Sequence, residues 1–274
     1  MNNLPRIDCS ERTCSDILGG LIWSQSMKIG ILETGILNPK LAHKFDPYPV
    51  MFAALIDRSG HSFEYRTYSV IRGEMPDSID ECDGWLITGS RHGVYEHLDW
   101  MQKLEGFIRS IAEQKIPLVG ICFGHQIIAQ ALGGEVVKSD QGWGVGLHRY
   151  NIAGTQNWMR SPASQIGIYA FHQDQVVTKP ESAAIFLSSE FCPIAGLIYG
   201  DSIISVQAHP EFAPVYEQAL LDTYGGDIVP ADIVEKAEST MQGGGAADTD
   251  VLAGWIGDFF LARQSLPTAQ AGSN

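Results

Sequence analysis

The segment Pro117-Leu118-Val119-Gly120-Ile121-Cys122-Phe123-Gly124-His125-Gln126 constrains this chain more than any other. Its first half is a short apolar strand, and Ile127–Leu132 behind it is an apolar helix that Gly133-Gly134 stops. A strand that turns directly into a helix presents the turn residue at the carboxyl edge of a sheet, in a tight and strained conformation. Glycines two residues to either side, Gly120 and Gly124, give the backbone room to approach there.

The rest of the chain repeats the alternation. Lys28–Glu33 reads as a first buried strand, Pro49–Gly60 as a helix, Ser62–Tyr68 and Cys82–Thr88 as strands. Met101, Leu104, Phe107, Ile108 and Ile111 mark a helix over 99–114. Strands separated by helices of this length imply βαβ units and a mainly parallel sheet, hence a three-layer α/β/α fold. Shorter β-rich pieces at 135–138, 146–151, 166–170, 183–188, 194–199 and 202–207 suit hairpins at the sheet edge and its last strands. Pro214–Tyr224 reads as a helix, a second starts at Pro230, and a further apolar stretch covers 251–264. Residues 1–26 are polar and irregular and read as a disordered extension or an early start. Residues 27–240 form the main domain, and 241–274 a Gly-rich connector with a C-terminal helix.

At 274 residues, 45% hydrophobic and 18% charged, the chain can bury a sizeable core. Its net charge of −14 argues against nucleic acid or an anionic membrane as the main partner. There is no apolar run long enough for a membrane helix and no signal-peptide pattern. Five cysteines without paired spacing point to a reducing, cytoplasmic setting rather than a disulfide framework. No metal-ligand spacing stands out, and no cofactor is expected.

Cys122 in the elbow is a candidate nucleophile, with the following helix N-terminus favouring its thiolate and the Phe123 N–H placed to meet an oxyanion. A thiol nucleophile needs a base and the base an orienting group. Ser205-Val206-Gln207-Ala208-His209-Pro210-Glu211 offers His209 and Glu211 at the end of a later strand, with Pro210 stiffening the corner.

G-x-C-x-G-x-Q followed by H-P-E about 87 residues later resembles a class I glutamine amidotransferase domain over residues 27–215. The resemblance implies a flavodoxin-like fold, with Cys122, His209 and Glu211 as nucleophile, base and orienting acid. Gly89 would supply the second oxyanion N–H beside Phe123, with Ser90 next to it, although Arg91-His92-Gly93 follows where many relatives carry Pro. Gln126 would help to hold glutamine. Gly142 and Trp143 lie where relatives bind the α-amino and α-carboxylate ends, and His172-Gln173-Asp174 resembles the H-x-D-x-V loop beside that pocket.

The resemblance implies a small-molecule substrate, glutamine or a γ-glutamyl amide or peptide, cleaved through a γ-glutamyl thioester. It is nearest to the stand-alone branch that is similar to the glutaminase half of guanosine-monophosphate synthase and to γ-glutamyl peptidases. The chain has no G-x-x-x-x-G-K-[ST] loop, and the roughly 60 residues after Glu211 are too few for an ATP-using domain. It therefore acts alone as a γ-glutamyl hydrolase or gives ammonia to a separate synthetase partner. A different cysteine hydrolase on this fold, with its His directly beside the Cys, fits less well because His125 is three residues on. A non-catalytic binding protein is disfavoured by the intact Cys122, His209 and Glu211. The oligomeric state is not readable.

Overall fold

The computed structural model describes residues 26–160 and 163–264. The reading of residues 1–25 as an extension lies outside them.

Nine strands form one sheet in the order β2-β1-β3-β4-β11-β10-β9-β6-β7. β1 (Lys28–Leu32), β2 (Glu64–Tyr68), β3 (Gly84–Ile87), β4 (Leu118–Ile121) and β11 (Ile203–Val206) pair in parallel. β10 (Gly196–Tyr199), β9 (Ala183–Ser188), β6 (Gly144–Ile152) and β7 (Gln165–His172) continue the sheet antiparallel. A separate ribbon pairs β5 (Glu135–Lys138) with β8 (Asp174–Thr178). The segment after His172 is thus not a plain loop: at Gln173 the chain leaves the large sheet and enters the ribbon.

The parallel strands are apolar on both faces, as a doubly covered sheet requires. Ile29, Ile31, Leu86, Val119, Ile121, Ile204 and Val206 belong to a core with α1 (Tyr48–Arg58) and α6 (Thr249–Gln264). Leu32, Trp85, Ile87, Leu118 and Ile203 belong to a second core with α2 (Asp99–Gln114) and α3 (Phe123–Ala131). This alternation of strand residues between two cores is the period of two that a strand imposes. The α2 residues Met101, Leu104, Ile108 and Ile111 are fully buried, the stripe that their helical spacing predicts. α4 (Pro214–Tyr224) and α5 (Ala231–Gly243) cover the antiparallel end against Val145, Leu147, Tyr169 and Phe171. Pro230 precedes α5 as its N-cap residue rather than opening the helix.

The apolar stretch near the end of the sequence becomes a structural layer. Leu252, Ala253, Trp255, Ile256, Phe259 and Phe260 of α6 are buried against the first core, and the Trp255 indole N–H donates to Arg160 O at 2.8 Å. Phe260 packs so closely on β3 that a Cβ at Gly84 would stand 3.0 Å from its ring. Phe260→Ala should therefore cost about 3–5 kcal/mol, the usual effect of emptying a buried aromatic site. The check is the urea midpoint of the variant against the parent at an unchanged m-value.

Candidate active site

Cys122 stands between β4 and α3 with φ +53° and ψ −103°, a conformation that side chains seldom adopt. Its surroundings enforce it. The Cys122 N–H donates to Val206 O of the neighbouring β11 at 2.8 Å, and the Gln126 N–H donates to Cys122 O at 3.1 Å, opening the helix. A Cβ at Gly120 would lie 2.6 Å from Gly124 O, and one at Gly124 would lie 2.4 Å from Ile87 O. Both glycines are thus required by close backbone approach, as the sequence spacing implies.

β11 leads into His209, whose N–H donates to Tyr169 O of β7 at 2.8 Å. The imidazole stacks on Phe212, centroids 4.0 Å apart and planes 6° from parallel, and its Nδ1 is 2.7 Å from Glu211 Oε1. Because a carboxylate only accepts, Nδ1 carries the proton and Nε2 is left for the thiol. Burial alone would lower the His209 pKa, but the facing Cys122 and Glu211 outweigh it and hold it well above its ordinary range. Gln207, fully buried, donates from Nε2 to Cys122 Sγ at 3.5 Å.

Gly89 borders the same space. A Cβ there would come 3.0 Å from His209 Cε1 and 3.7 Å from Cys122 Cβ. The Gly89 backbone is fastened by two buried threonines: Thr34 Oγ1 donates to Thr88 O at 2.8 Å and the Thr34 N–H to Thr88 Oγ1 at 3.0 Å. Gly89 O lies within 3.2 Å of both hydroxyls. Phe123 opens α3, so its N–H has no partner within the helix. Cys122, His209, Glu211, Gly89 and Phe123 are thus drawn together from separate stretches of chain.

The other expected site residues are distributed around this centre. Gln126 donates from Nε2 to Asp174 O at 2.9 Å and to Gln207 Oε1 at 3.1 Å, tying the start of β8 to the wall behind Cys122. The Asp174 carboxyl accepts from Tyr95 at 3.1 Å, and burial raises its pKa. Ser90 is half-buried and accepts from the His92 N–H at 3.3 Å. Gly142, Trp143 and Gln173 line an open cleft of about 440 Å³ with Lys138 and the start of α5. Trp143 leans on Phe171, centroids 5.6 Å apart. His172 does not border that cleft. It is buried, its Nδ1 donates to Asp174 O at 3.1 Å, and burial, with His148 beside it, pushes its pKa down to about 3. His172 is therefore neutral, with a buried Nε2 that has no partner. His125, beside the nucleophile in sequence, points away: Nε2 donates to Ile194 O at 3.1 Å, and Nδ1 takes the Ser205 hydroxyl proton at 2.8 Å. Among the described residues no group of three His, Cys, Asp or Glu is arranged to hold a metal ion.

Sequence reasoning missed Gln207, Thr34 and Thr88. Gln207 was within reach, since two residues before His209 is the same side of an extended chain. The threonines gave no local signal, because they meet only once β1 and β3 are neighbours.

Residues 52–223 match the family model described as glutamine amidotransferase class-I. The chain belongs to the class I glutamine amidotransferase family. It is 32% identical over 202 residues to gamma-glutamyl peptidase 3 of Arabidopsis thaliana, covering 70% of this chain and 80% of that protein. It is 34% identical over 136 residues to a glutamine-hydrolyzing GMP synthase subunit of Sulfolobus acidocaldarius, covering 49% and 70%. A glutamine amido transferase structure from Methylobacillus flagellatus superposes with a TM-score of 0.67 at 18% identity, covering 91% of this chain and 99% of that one, which shows a shared fold.

Glu217 of α4 is a further buried acid near the site. Its Oε1 accepts from the Gly146 N–H at 2.8 Å, Oε2 is buried without a partner, and burial raises its pKa to about 8. The folded state then binds a proton that the unfolded chain has released, so stability falls as pH rises from about 4.5 to about 8. Glu217→Gln keeps the acceptor and removes the titration. Its urea midpoint should exceed the parent's at pH 9 and match it at pH 4.5.

Proposed function

We propose that this chain hydrolyses the γ-amide bond of a γ-glutamyl amide or peptide by itself, through a γ-glutamyl thioester on Cys122. The carrying observation is the strained Cys122 elbow facing an imidazole that Glu211 orients and charge holds protonated, all within a single chain. An imidazolium beside a thiolate is a nucleophile already activated, with the acid for the departing amine in place.

The Cys122 thiolate adds to the γ-carbonyl, and the Gly89 and Phe123 N–H groups meet the developing oxyanion. The imidazolium gives its proton to the leaving nitrogen as the C–N bond breaks, leaving the thioester. Water then adds, His209 takes its proton, and glutamate departs as the thiolate and imidazolium are restored. Thr34 and Thr88 hold the Gly89 backbone in place. Gln207 donates to the sulfur in the resting state. The substrate class is supported by the gamma-glutamyl peptidases, which align with more of this chain than the GMP synthase glutaminase does.

A second reading keeps the chemistry and changes the consumer: ammonia from glutamine passes to a separate synthetase. The match to the glutamine-hydrolyzing part of GMP synthase favours it. No helix among the described residues is long and apolar enough to cross a membrane, and a reducing cytoplasm suits a free thiol nucleophile.

Glutamate release by the purified chain, from glutamine and from a panel of γ-glutamyl amides and peptides, separates the two. Fast release from a γ-glutamyl peptide supports the self-sufficient hydrolase. Alkylation of Cys122 by a glutamine-like electrophile without release supports the ammonia donor. In the first case Cys122→Ser and His209→Asn should each fold normally and lose turnover by orders of magnitude, while Cys82→Ser and Cys192→Ser keep it. Retained activity in Cys122→Ser would remove the thiol from the mechanism.

A further inference from the structure

Two side chains just past the end of β11 face the reacting sulfur. Gln207 and His209 are two residues apart, so both leave the extended chain on one side, toward Cys122. Gln207 is fully buried, and its Nε2 stands 3.5 Å from Cys122 Sγ. A glutamine amide can often be turned over, exchanging nitrogen for oxygen, but its neighbours forbid that here. Asp174 O is a carbonyl and only accepts, so the end of the Gln126 amide 2.9 Å from it is the nitrogen. The same nitrogen lies 3.1 Å from the Gln207 amide, which must present its oxygen. The Gln207 nitrogen is left for the sulfur. A backbone carbonyl at the start of β8 thus fixes, through two amides, a donor on the nucleophile.

Other ionisable groups near the sulfur bring no charge of their own. Cys192 and Tyr150 lie close enough to sense Cys122, but burial pushes the Cys192 thiol up to about 12 and holds the Tyr150 hydroxyl well above its ordinary range. The two groups that face the sulfur differ in what they can give away. His209 surrenders its proton to the leaving nitrogen, whereas an amide keeps its own. When the thioester opens, the electron pair of the C–S bond returns to sulfur, and the Gln207 N–H is in place to meet it.

Resting on the function proposed above, we infer that Gln207 is a further catalytic residue, a permanent hydrogen-bond donor that favours the charged form of Cys122 whatever the protonation of His209. Gln126 and the carbonyl of Asp174 are its positioning groups. The division of labour is then clear: the imidazole moves the proton, and the amide holds the charge that the sulfur carries before attack and after the thioester breaks.

The test is alkylation of Cys122 by iodoacetamide, which reads the thiolate without turnover, followed by mass spectrometry of the Cys122 peptide. It is run in the full chain carrying His209→Asn, where no imidazolium masks the effect of the amide. At pH 7, adding Gln207→Met should slow alkylation about threefold. Losing a hydrogen bond to a charged group leaves about tenfold less thiolate, offset in part because a less stabilised thiolate attacks faster. At about pH 10.5, where ordinary thiols are ionised, the two rates should meet or cross. A purely structural Gln207 would alter access to the sulfur and slow alkylation equally at both pH values, and that result overturns the inference. So does a rate at pH 7 indifferent to Gln207→Met, or a Cys122 that the reagent does not modify in the His209→Asn chain. Gln207→Asn, which withdraws the donor by one methylene, takes the place of Gln207→Met should that chain not fold. Glutamate release by the wild-type chain judges the hydrolase reading separately.

Discussion

The backbone of Cys122 is the constraint on which the site depends. A residue at φ +53° between a strand and a helix is unfavourable, and it persists because its neighbours leave no alternative. β4 is buried between β3 and β11, α3 lies so close to Ile87 that residue 124 can carry no side chain, and the Cys122 N–H is held by Val206. Packing of the parallel sheet therefore fixes the direction of the thiol before any polar group of the site acts. The polar groups then set its charge. His209 is fastened to β7 through its backbone, to Glu211 through Nδ1 and to Phe212 through its ring face, so little motion remains in the imidazole.

Histidines of this chain show how environment divides one residue type among roles. His209 faces the Cys122 sulfur and a carboxylate, which raise its pKa well above the ordinary value. His125 and His172 are as deeply buried but meet carbonyls, a hydroxyl and other imidazoles, and burial leaves them neutral. His61 is buried too, bridging Ser59 and Asp258 and so joining the end of α1 to α6. The spacing of His125, three residues after the nucleophile, already argued against it as the base, and its nitrogen partners, Ser205 Oγ and Ile194 O, point it elsewhere.

Features carried by short stretches of sequence were legible without coordinates. The glycine-flanked elbow, the His-Pro-Glu corner and the helical stripe of α2 each declare themselves within a few residues. Features made by pairing distant strands were not. The Thr34–Thr88 lock spans 54 positions, and β8 belongs to a ribbon whose partner lies on the far side of β6 and β7 in sequence. The role of α6 was hidden for a related reason: its residues are apolar around most of the helix, so periodicity does not reveal which surface it covers.

The joining of Phe260 to Met27, Ile29 and Gly84 in one core has a consequence for how the protein comes into being. The ribosome makes β1 early and α6 more than two hundred residues later. Until that helix has emerged, α1 alone covers that face of the parallel sheet and the apolar surface that α6 will bury stays open to solvent, although the nucleophile elbow and His209 have already been synthesised. A nascent chain of this protein is thus a client for whatever shields apolar surface during translation, and the completion of its core is an event at the end of synthesis.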